Sequence, residues 1–530
     1  MQSDSICDPT RAASGRSERP ASHARPVATF AALALLALAA SCGGDGGGDD
    51  GRAPGDSPGG ASSATRPNVL FISIDDLRCE LPAYGSEHVL APNLTAFADR
   101  ALTFERAYCQ FASCCPSRTS VLTGVRPDTS GVHDQDQHFR DTLPDVVTLP
   151  QHFKEHGWTT RAVGKVHHGN LVDERSWSEP WMPIKDEVVQ YADSAIGVAA
   201  RGRAFEAAAV DDGTFHDGLV ARRGVEALTE FAARSGGGSN GGEREPFFLA
   251  LGFLRPHLPF VAPQRYFDAY PLESIELASY RERPAGAPSN AILDGAELRM
   301  FEGVPDGPLP DELARELRRA YWAATSYVDA QVGLVLDALD RLGLADDTVV
   351  VIWSDHGYKL GEFGAWCKKT TVELDTRVPL LLRAPGVTRA GSRTAGLVEL
   401  VDLYPTLAEV CGLPLPAHLE GTSFAPLLVD PERAWKSAVF SQQTRGAVPD
   451  RMRVGLSMRT ERYRLTRWVR MADRDEVLDV ELYDHTNDPL ELVDVSDATG
   501  REGELAALTE QLLAGWSAVR DDVRSATEGR

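Results

Sequence analysis

Three carboxylates and a histidine follow apolar runs that are typical of buried strands. Asp75 and Asp76 come at the end of "PNVLFISIDDLR", and Asp355 and His356 lie in "DTVVVIWSDHG". Carboxylates that meet in a protein interior repel one another unless a positive charge lies between them. A divalent cation supplies that charge, and oxygen-rich ligation favours Ca²⁺ or Mg²⁺ over zinc. The pattern predicts a metal site, and the alternative is that the paired aspartates only cap the next helix.

Cations and proton carriers follow other apolar segments. Lys165 and His168 lie in "RAVGKVHHG", His257 lies in "RPHLPF", and Arg118 and Lys368 occur elsewhere in the chain. As a set, these side chains describe a pocket that binds a tetrahedral oxyanion beside a metal, with histidines able to move protons near neutral pH. Cleavage of a phosphate or sulfate ester is the reaction class that the combination indicates.

Two adjacent cysteines, Cys114 and Cys115 in "SCCPSR", do not by themselves identify a nucleophile. A reactive thiol needs a nearby imidazole or a helix N-terminus to lower its pKa, and the preceding "RAYCQFAS" contains no histidine. Arg118 follows Cys114 too closely for the spacing of cysteine-dependent phosphatases, and adjacent cysteines are poor ligands for one zinc ion. The residues alone indicate an anion site with an unusual cysteine pair.

The elements that position these residues alternate along the chain. Continuous apolar runs such as "NVLFISI" and "FFLALGF" suit strands buried on both faces of a sheet, and residues 311–342 are typical of a long helix. Such alternation predicts an α/β fold with a mostly parallel sheet and helices on both faces. Because ligands gather at the carboxyl ends of parallel strands, we expect the candidate residues to meet there.

The first 65 residues differ in composition from the rest. Arginines precede the apolar run "VATFAALALLALAA" at residues 27–40, which is typical of an export signal. The order "LAASC" resembles a bacterial lipobox, in which Cys42 becomes the lipidated first residue, and a plain secretory signal is the alternative. We predict an export signal over residues 1–42 and a flexible tether over 43–65. The working protein is then expected in the periplasm or on the cell surface, attached to the membrane only through a lipid at Cys42.

The remaining chain divides by pattern into two regions. Continuous apolar runs extend to about residue 437, and alternating segments follow. We predict a catalytic domain over 66–437 and a smaller C-terminal subdomain over 438–530, with an antiparallel sheet and a terminal helix. The formal charge of -23 argues against a nucleic-acid partner, so an anionic ligand must meet a local positive pocket.

The order C-x-P-S-R at residues 114–118 resembles the signature of the formylglycine-dependent sulfatases, and "TSVLTG" continues it. Among these enzymes, "RPDT", "GKVHHG", "RPHLPF" and "GEFGAWCK" are most similar to the iduronate-2-sulfatase branch. The resemblance implies an alkaline-phosphatase-like α/β fold with a large mostly parallel sheet flanked by helices and a smaller C-terminal α+β subdomain. It also implies removal of sulfate from a sulfated sugar or polysaccharide.

The resemblance distinguishes the two cysteines. Cys114 matches the residue that a maturation enzyme converts to formylglycine, whose hydrated form would attack sulfur, and Cys115 takes the variable position. Arg118 would stabilise the hydrated group. A bound Ca²⁺ would lower the charge cost of the attack, and its implied ligands are Asp75, Asp76, Asp355, His356 and the modified Cys114.

The same resemblance assigns the remaining roles. Lys165 and Lys368 would neutralise the sulfate oxygens, and His257 would donate a proton to the leaving oxygen. His168 would act as the base that expels sulfate and regenerates the aldehyde. Its neighbour His167 is expected to be structural.

Several residues near the predicted site are candidates for contact with the substrate, and two alternative functions remain open. Tyr358 and Trp366 could stack on a sugar ring or belong to the core, whereas Arg255 and "HDQDQHFR" at residues 133–140 are candidates for selectivity. A phosphate or phosphonate monoester hydrolase of the same fold is one alternative function. A non-catalytic lipoprotein that binds sulfated glycans is the other, and the intact signature around Cys114 argues against it.

Overall fold

The apolar runs form strands in the computed structural model, which describes residues 66–184, 189–195, 202–236, 245–446, 448 and 451–528. The predicted export signal and tether lie outside the described residues. In chain order the strands are β1 Asn68–Ile74, β2 Leu102–Tyr108, β3 Thr159–Gly164, β4 Phe205–Ala208, β5 Phe247–Phe253, β6 Phe260–Pro263, β7 Thr348–Ser354, β8 Lys359–Leu360, β9 Trp366–Cys367, β10 Arg377–Val378, β11 Leu380–Arg383, β12 Ser392–Glu399, β13 Ala438–Arg445, β14 Arg453–Thr460, β15 Tyr463–Arg470 and β16 Val477–Asp484.

The helices lie between these strands, and the predicted long helix is present at its expected position. They are α1 Pro92–Ala98, α2 Cys114–Thr123, α3 Pro127–Ser130, α4 Phe139–Thr142, α5 Leu149–Glu155, α6 His216–Gly236, α7 Gln264–Asp268, α8 Ala296–Arg299, α9 Asp311–Arg341, α10 Glu373–Thr376, α11 Leu403–Val410, α12 Ala425–Val429 and α13 Glu502–Glu528. Within the described ranges, no helix is long and apolar enough to cross a membrane.

The centre of the fold is an eight-stranded sheet with the order β10-β2-β11-β7-β1-β5-β3, and β12 pairs with β2. The four strands from β7 to β3 are parallel, and β11 and β10 pair in the antiparallel sense. Every residue of β1, β5 and β7 is buried, as their continuous apolar runs predict. The predicted fold class is confirmed, with antiparallel pairings confined to the side of the sheet beyond β7.

Alternate residues of β1 belong to two cores on opposite faces of the sheet. Leu70 and Ile72 share one cluster with residues of α6 and α9. Val69 and Phe71 share the other cluster with residues of α2, α5 and α11. The period of two along the strand therefore places helices on both sides of the sheet.

A second, four-stranded antiparallel sheet has the order β13-β14-β15-β16. Its core is completed by α13, through Leu508 and Leu512. The edge strand β13 contacts the larger sheet region, where the Gln442 N–H donates to the carbonyl of Gln110 at 2.8 Å. The antiparallel sheet and terminal helix predicted for the C-terminal region are both present.

Candidate active site

Four neighbouring strands bring the predicted metal ligands and a cation to one edge of the sheet. Strands β7, β1, β5 and β3 are parallel, so their carboxyl ends lie side by side. Asp355 and His356 follow β7, Asp75 and Asp76 follow β1, and Lys165 follows β3. The four metal-ligand candidates are fully buried, and the expected meeting of these residues is present.

The turn after β1 is held by the neighbouring strand end and by α9. Asp76 has a φ of +60°, in the left-handed region that non-glycine residues seldom adopt. Its N–H donates to Asp355 Oδ1 at 3.2 Å, and the Tyr321 hydroxyl donates to its carbonyl at 2.7 Å. These bonds stabilise a strained turn that places two carboxylates in succession, as is common at functional sites.

Two lysines pair separately with the two aspartates. Lys165 Nζ donates to Asp75 Oδ2 and lies 3.8 Å from Cys114 Sγ. Lys368 Nζ lies 2.8 Å from each carboxylate oxygen of Asp76. Burial opposes ionisation of Asp75, but Lys165 and its other cationic neighbours hold the pKa of that carboxyl well below its usual range. Burial prevails at Asp76, whose pKa is raised.

Helix α2 supplies the predicted nucleophile and the guanidinium from one face. Cys114 and Arg118 are four residues apart, so they lie one above the other on the helix. Cys114 Sγ lies 3.3 Å from His356 Nε2. Arg118 donates from Nε to Asp355 Oδ2 at 2.8 Å and from Nη2 to Asp75 Oδ1 at 3.2 Å. Arg118 therefore joins the ends of β7 and β1 beneath the thiol.

The two cysteines occupy different environments. Cys115 donates from Sγ to the Gln137 carbonyl at 3.5 Å and packs with Val132 and Phe139. Burial raises the pKa of Cys115 to about 12. Burial also opposes ionisation of Cys114, but the nearby lysines and His356 lower the pKa of that thiol well below its usual value. The geometry thus distinguishes Cys114 as the residue that faces the cations.

The segment at residues 133–140 supports the start of α2. Gln135 Oε1 accepts from the Cys115 N–H at 3.0 Å, and its Nε2 donates to Ser113 Oγ at 2.8 Å. Ser113 is the N-cap residue but makes no side-chain cap bond. Gln135 therefore satisfies an N–H that no bond within the helix can reach. Sequence reasoning placed this segment near the substrate and missed its contact with the helix.

The buried donors fit a divalent cation. One donor atom from each of four residues lies within 4.8 Å of the others, and these residues are Asp75, Cys114, Asp355 and His356. His356 Nδ1 donates to the Gly357 carbonyl at 3.0 Å, which turns Nε2 toward Asp76 Oδ1 at 3.4 Å. Burial raises the pKa of Asp355 to about 7. Burial opposes protonation of His356, but Asp355 and Cys114 raise its pKa to about 10. The centre attracts positive charge, and a cation would replace the Nε2 proton.

His257 follows β5 and has acceptors at both ring nitrogens. Nδ1 donates to the Leu258 carbonyl at 2.6 Å, and Nε2 lies 3.0 Å from Glu297 Oε1. The other oxygen of Glu297 lies 2.9 Å from Lys368 Nζ. Burial and the lysines oppose protonation of His257, but Asp76 and Glu297 outweigh them and raise its pKa to about 10. Glu297 was not among the predicted residues, because no motif or periodic pattern surrounds it.

The adjacent histidines 167 and 168 differ in their partners. His168 Nδ1 is buried and has no hydrogen-bond partner within the described residues. His168 and Arg118 line the same small cavity beside α2. His167 Nε2 accepts from Trp177 Nε1 at 3.2 Å, and burial lowers its pKa to about 4. His167 is a neutral interior residue, as expected, and His168 retains a free ring nitrogen near the site.

Three aromatic or basic candidates for substrate contact belong to the interior. Arg255 is 3% exposed and donates to the carbonyls of His257 at 2.8 Å and Val261 at 3.2 Å. These bonds support the loop that carries His257, and the role of Arg255 in substrate selectivity stays a prediction. Tyr358 and Trp366 both lie in the hydrophobic core, so the core interpretation of these two side chains is the right one.

Comparisons with known proteins agree with this geometry. The sequence pattern of the sulfatase family matches residues 67–413, and that of the N-sulphoglucosamine sulphohydrolase C-terminal region matches residues 361–517. Iduronate 2-sulfatase of Mus musculus is 36% identical over 407 residues, covering 69% of this chain and 72% of the mouse protein. Iduronate 2-sulfatase of Homo sapiens is 36% identical over 399 residues, covering 67% and 71%.

Solved structures share the fold over most of the chain. The protein BT4656, in complex with its substrate D-glucosamine-2-N,6-O-disulfate, has a TM-score of 0.68 at 19% identity and covers 86% of this chain and 99% of its own. The phosphonate monoester hydrolase SpPMH from Silicibacter pomeroyi has a TM-score of 0.69 at 23% identity and covers 86% and 96%. These likenesses establish the fold and do not choose between sulfate and phosphonate esters.

Proposed function

The chain belongs to the sulfatase family and is a sulfuric ester hydrolase, and on that premise we propose that it removes sulfate from a sulfated sugar through a formylglycine made from Cys114 and a bound Ca²⁺. The likeness to the iduronate-2-sulfatase branch, predicted from the motifs, is confirmed by the curated relatives. The observation that carries the proposal is the meeting of Cys114 with Lys165 and His356 at the strand ends.

The metal would be held by the buried donors at the ends of β1 and β7. We assign Asp75, Asp76, Asp355 and His356 as its ligands, together with the modified Cys114. When bound, Ca²⁺ supplies positive charge next to the nucleophile and the sulfate oxygens. Carboxylate oxygens are the donors that Ca²⁺ prefers, which supports this assignment.

The chain's own residues bind the ester and handle its charge. Formylglycine supplies a nucleophilic hydroxyl when hydrated, which an unmodified thiol does not. Arg118 holds that end of α2 against the two buried carboxylates. Lys165 and Lys368 offer ammonium groups to the sulfate oxygens, and these donors stabilise negative charge that builds up during the attack.

Two histidines are assigned to proton transfer. His257 has both ring nitrogens directed at acceptors, so it is the protonated form that its surroundings stabilise, and it would give its Nε2 proton to the leaving oxygen. His168 keeps an unbonded ring nitrogen near α2, and we assign it as the base for the second hydroxyl of formylglycine.

The substrate class follows from the relatives. Iduronate 2-sulfatase is the name of the proteins that are 36% identical to this chain, so a 2-sulfated iduronate within a sugar chain is the proposed substrate. The test is the release of inorganic sulfate from a 2-O-sulfated iduronate disaccharide, compared with cleavage of a phosphonate monoester. Faster phosphonate cleavage would favour the rival hydrolase, and binding without turnover by matured protein would favour a non-catalytic glycan receptor.

Maturation and location are further parts of the proposal. A formylglycine-generating enzyme must modify Cys114, and the leader would deliver the protein to the periplasm or cell surface with a lipid on Cys42. The variant Cys42→Ala is expected to move the protein from the membrane fraction to the soluble fraction. Equal membrane association of both proteins would contradict the anchor.

A further inference from the structure

A single carboxylate bridges two of the cations assigned to substrate binding. Glu297 Oε1 lies 3.0 Å from His257 Nε2, and Glu297 Oε2 lies 2.9 Å from Lys368 Nζ. Burial opposes ionisation of Glu297, but Lys368 and His257 hold its pKa well below the usual range. Glu297 is therefore an anion that forms ion pairs with both His257 and Lys368.

The position of Glu297 is built into the fold. The short helix α8 is attached to strand β9, where the Gly295 N–H donates to the Trp366 carbonyl at 2.9 Å and Asp294 Oδ1 accepts from the Trp366 N–H at 3.0 Å. A Cβ at Gly295 would lie 2.3 Å from Cys367 Cβ, so only glycine permits this approach. Because Lys368 directly follows β9, the attachment brings Glu297 to Lys368.

The carboxylate matches the part of a sulfate ester that these cations would meet. A carboxylate presents two oxygens on one carbon, and a sulfate ester presents the ester oxygen and a terminal oxygen on one sulfur. His257 would donate to the ester oxygen and Lys368 to a terminal oxygen. In this structure each of those donors is already directed at one oxygen of Glu297.

We propose that Glu297 is a resident counter-ion that competes with the sulfate group for His257 and Lys368. This competition lowers the affinity of the enzyme for sulfate. The inference rests on the proposed function, because it uses the same anion site. Glu297 is 23% exposed and lies on a helix of four residues, so its side chain has room to turn toward solvent when an ester enters. Competition of this kind would also speed release of the sulfate product.

The test is the affinity of the matured, calcium-loaded full chain for inorganic sulfate, measured by calorimetry. Glu297→Gln keeps the shape of the side chain and removes its charge. Because a like charge within hydrogen-bond distance of the site opposes an incoming anion, the variant is expected to bind sulfate at least about tenfold more tightly than the wild type. The matched control is Glu302→Gln, which removes an exposed charge five residues further along and should leave the affinity unchanged.

The outcomes separate this inference from the proposed function. Unchanged or weaker sulfate binding by Glu297→Gln, or equal tightening by both variants, would overturn the competition. Turnover of the sulfated disaccharide with that result would leave the proposed function standing. Tighter sulfate binding without turnover by any of the three proteins would support the competition and contradict the proposed function. The Michaelis constant of the disaccharide is expected to fall together with the sulfate dissociation constant in Glu297→Gln.

Discussion

His356 Nε2 lies 3.3 Å from Cys114 Sγ, although 242 positions separate the two residues in the chain. His356 is fixed at the end of β7 by the bond from Nδ1 to the Gly357 carbonyl, and Cys114 is the first residue of α2. The residue to be modified is therefore next to a candidate metal ligand. This contact ties the metal centre to the nucleophile.

The two cysteines are expected to respond differently to substitution. Cys114→Ala removes the thiol that lies beside Lys165 and His356 and should lower sulfate release at least about a thousandfold. Cys115→Ala should keep turnover within about threefold and reduce the free energy of unfolding by about 1 kcal/mol, since it removes a sulfur packed on Phe139. The measurements are turnover of the sulfated disaccharide and urea unfolding. Equal loss of activity in both variants would contradict the assignment.

Removal of the metal is expected to lower both activity and stability. Chelation should abolish turnover, and added Ca²⁺ at about a hundred times its Kd should restore it and stabilise the folded chain by about 3 kcal/mol. Asp355→Asn should weaken this stabilisation, because it removes charge from a fully buried donor. Asp346→Asn, at a side chain that is 98% exposed, is the control. An unfolding temperature of the wild type that does not change when Ca²⁺ is added would refute the metal site.

Arg255 supplies a test of its predicted role in substrate selectivity. Arg255→Ala leaves the carbonyls of His257 and Val261 without their donor and should reduce the free energy of unfolding by about 2 kcal/mol. Since the guanidinium is bonded to backbone carbonyls of its own loop, the change in KM should be the same for a uronate-containing and a neutral sulfated sugar. A larger increase for the uronate substrate would support a role of Arg255 in selectivity.

The strand ends show what the sequence was able to predict. Asp75, Asp76, Asp355 and His356 follow continuous apolar runs, and parallel strands with such runs end at one edge of the sheet. The strand pattern was enough to predict that these residues meet, because the carboxyl ends of parallel strands lie together at the ligand-binding edge of the sheet. The likeness of the signature around Cys114 then separated it from Cys115, which the physical argument alone had left open.

Glu297 and Gln135 show why the rest required the structure. Glu297 reaches Lys368 only because Gly295 permits close contact with β9, and no periodic pattern marks a helix of four residues. Gln135 reaches α2 from a loop that returns over the helix start. Contacts between irregular segments depend on how distant parts of the chain pack together, and a short sequence motif carries no information about that packing.

The carboxyl of Glu481, which lies outside the active site, is expected to make the free energy of unfolding depend on pH. Its carboxyl accepts from Trp468 Nε1 at 2.6 Å and from the Tyr483 hydroxyl at 2.7 Å, and burial raises its pKa from 4.5 to about 7. The folded chain therefore binds this proton more tightly than the unfolded chain does. The resulting stabilisation is complete below about pH 4.5 and is lost as the pH rises through about 7.

The measurement for Glu481 is urea unfolding across this pH interval. Relative to Glu481→Gln, the wild type should lose about 3 kcal/mol between the two ends of the interval. Glu461→Gln, which changes an exposed carboxyl, should follow the wild type. Parallel curves for the wild type and Glu481→Gln would show that this carboxyl does not change its proton affinity on folding.

The most direct measurement is mass spectrometry of the tryptic peptide at residues 107–118, from protein made with a formylglycine-generating enzyme. We expect Cys114 to carry an aldehyde, with one sulfur and two hydrogens replaced by one oxygen, and Cys115 and Cys109 to keep their thiols. Only preparations with this peptide are expected to release sulfate. Three intact thiols in a preparation that turns over the sulfated disaccharide would contradict the assignment of Cys114 as a formylglycine precursor.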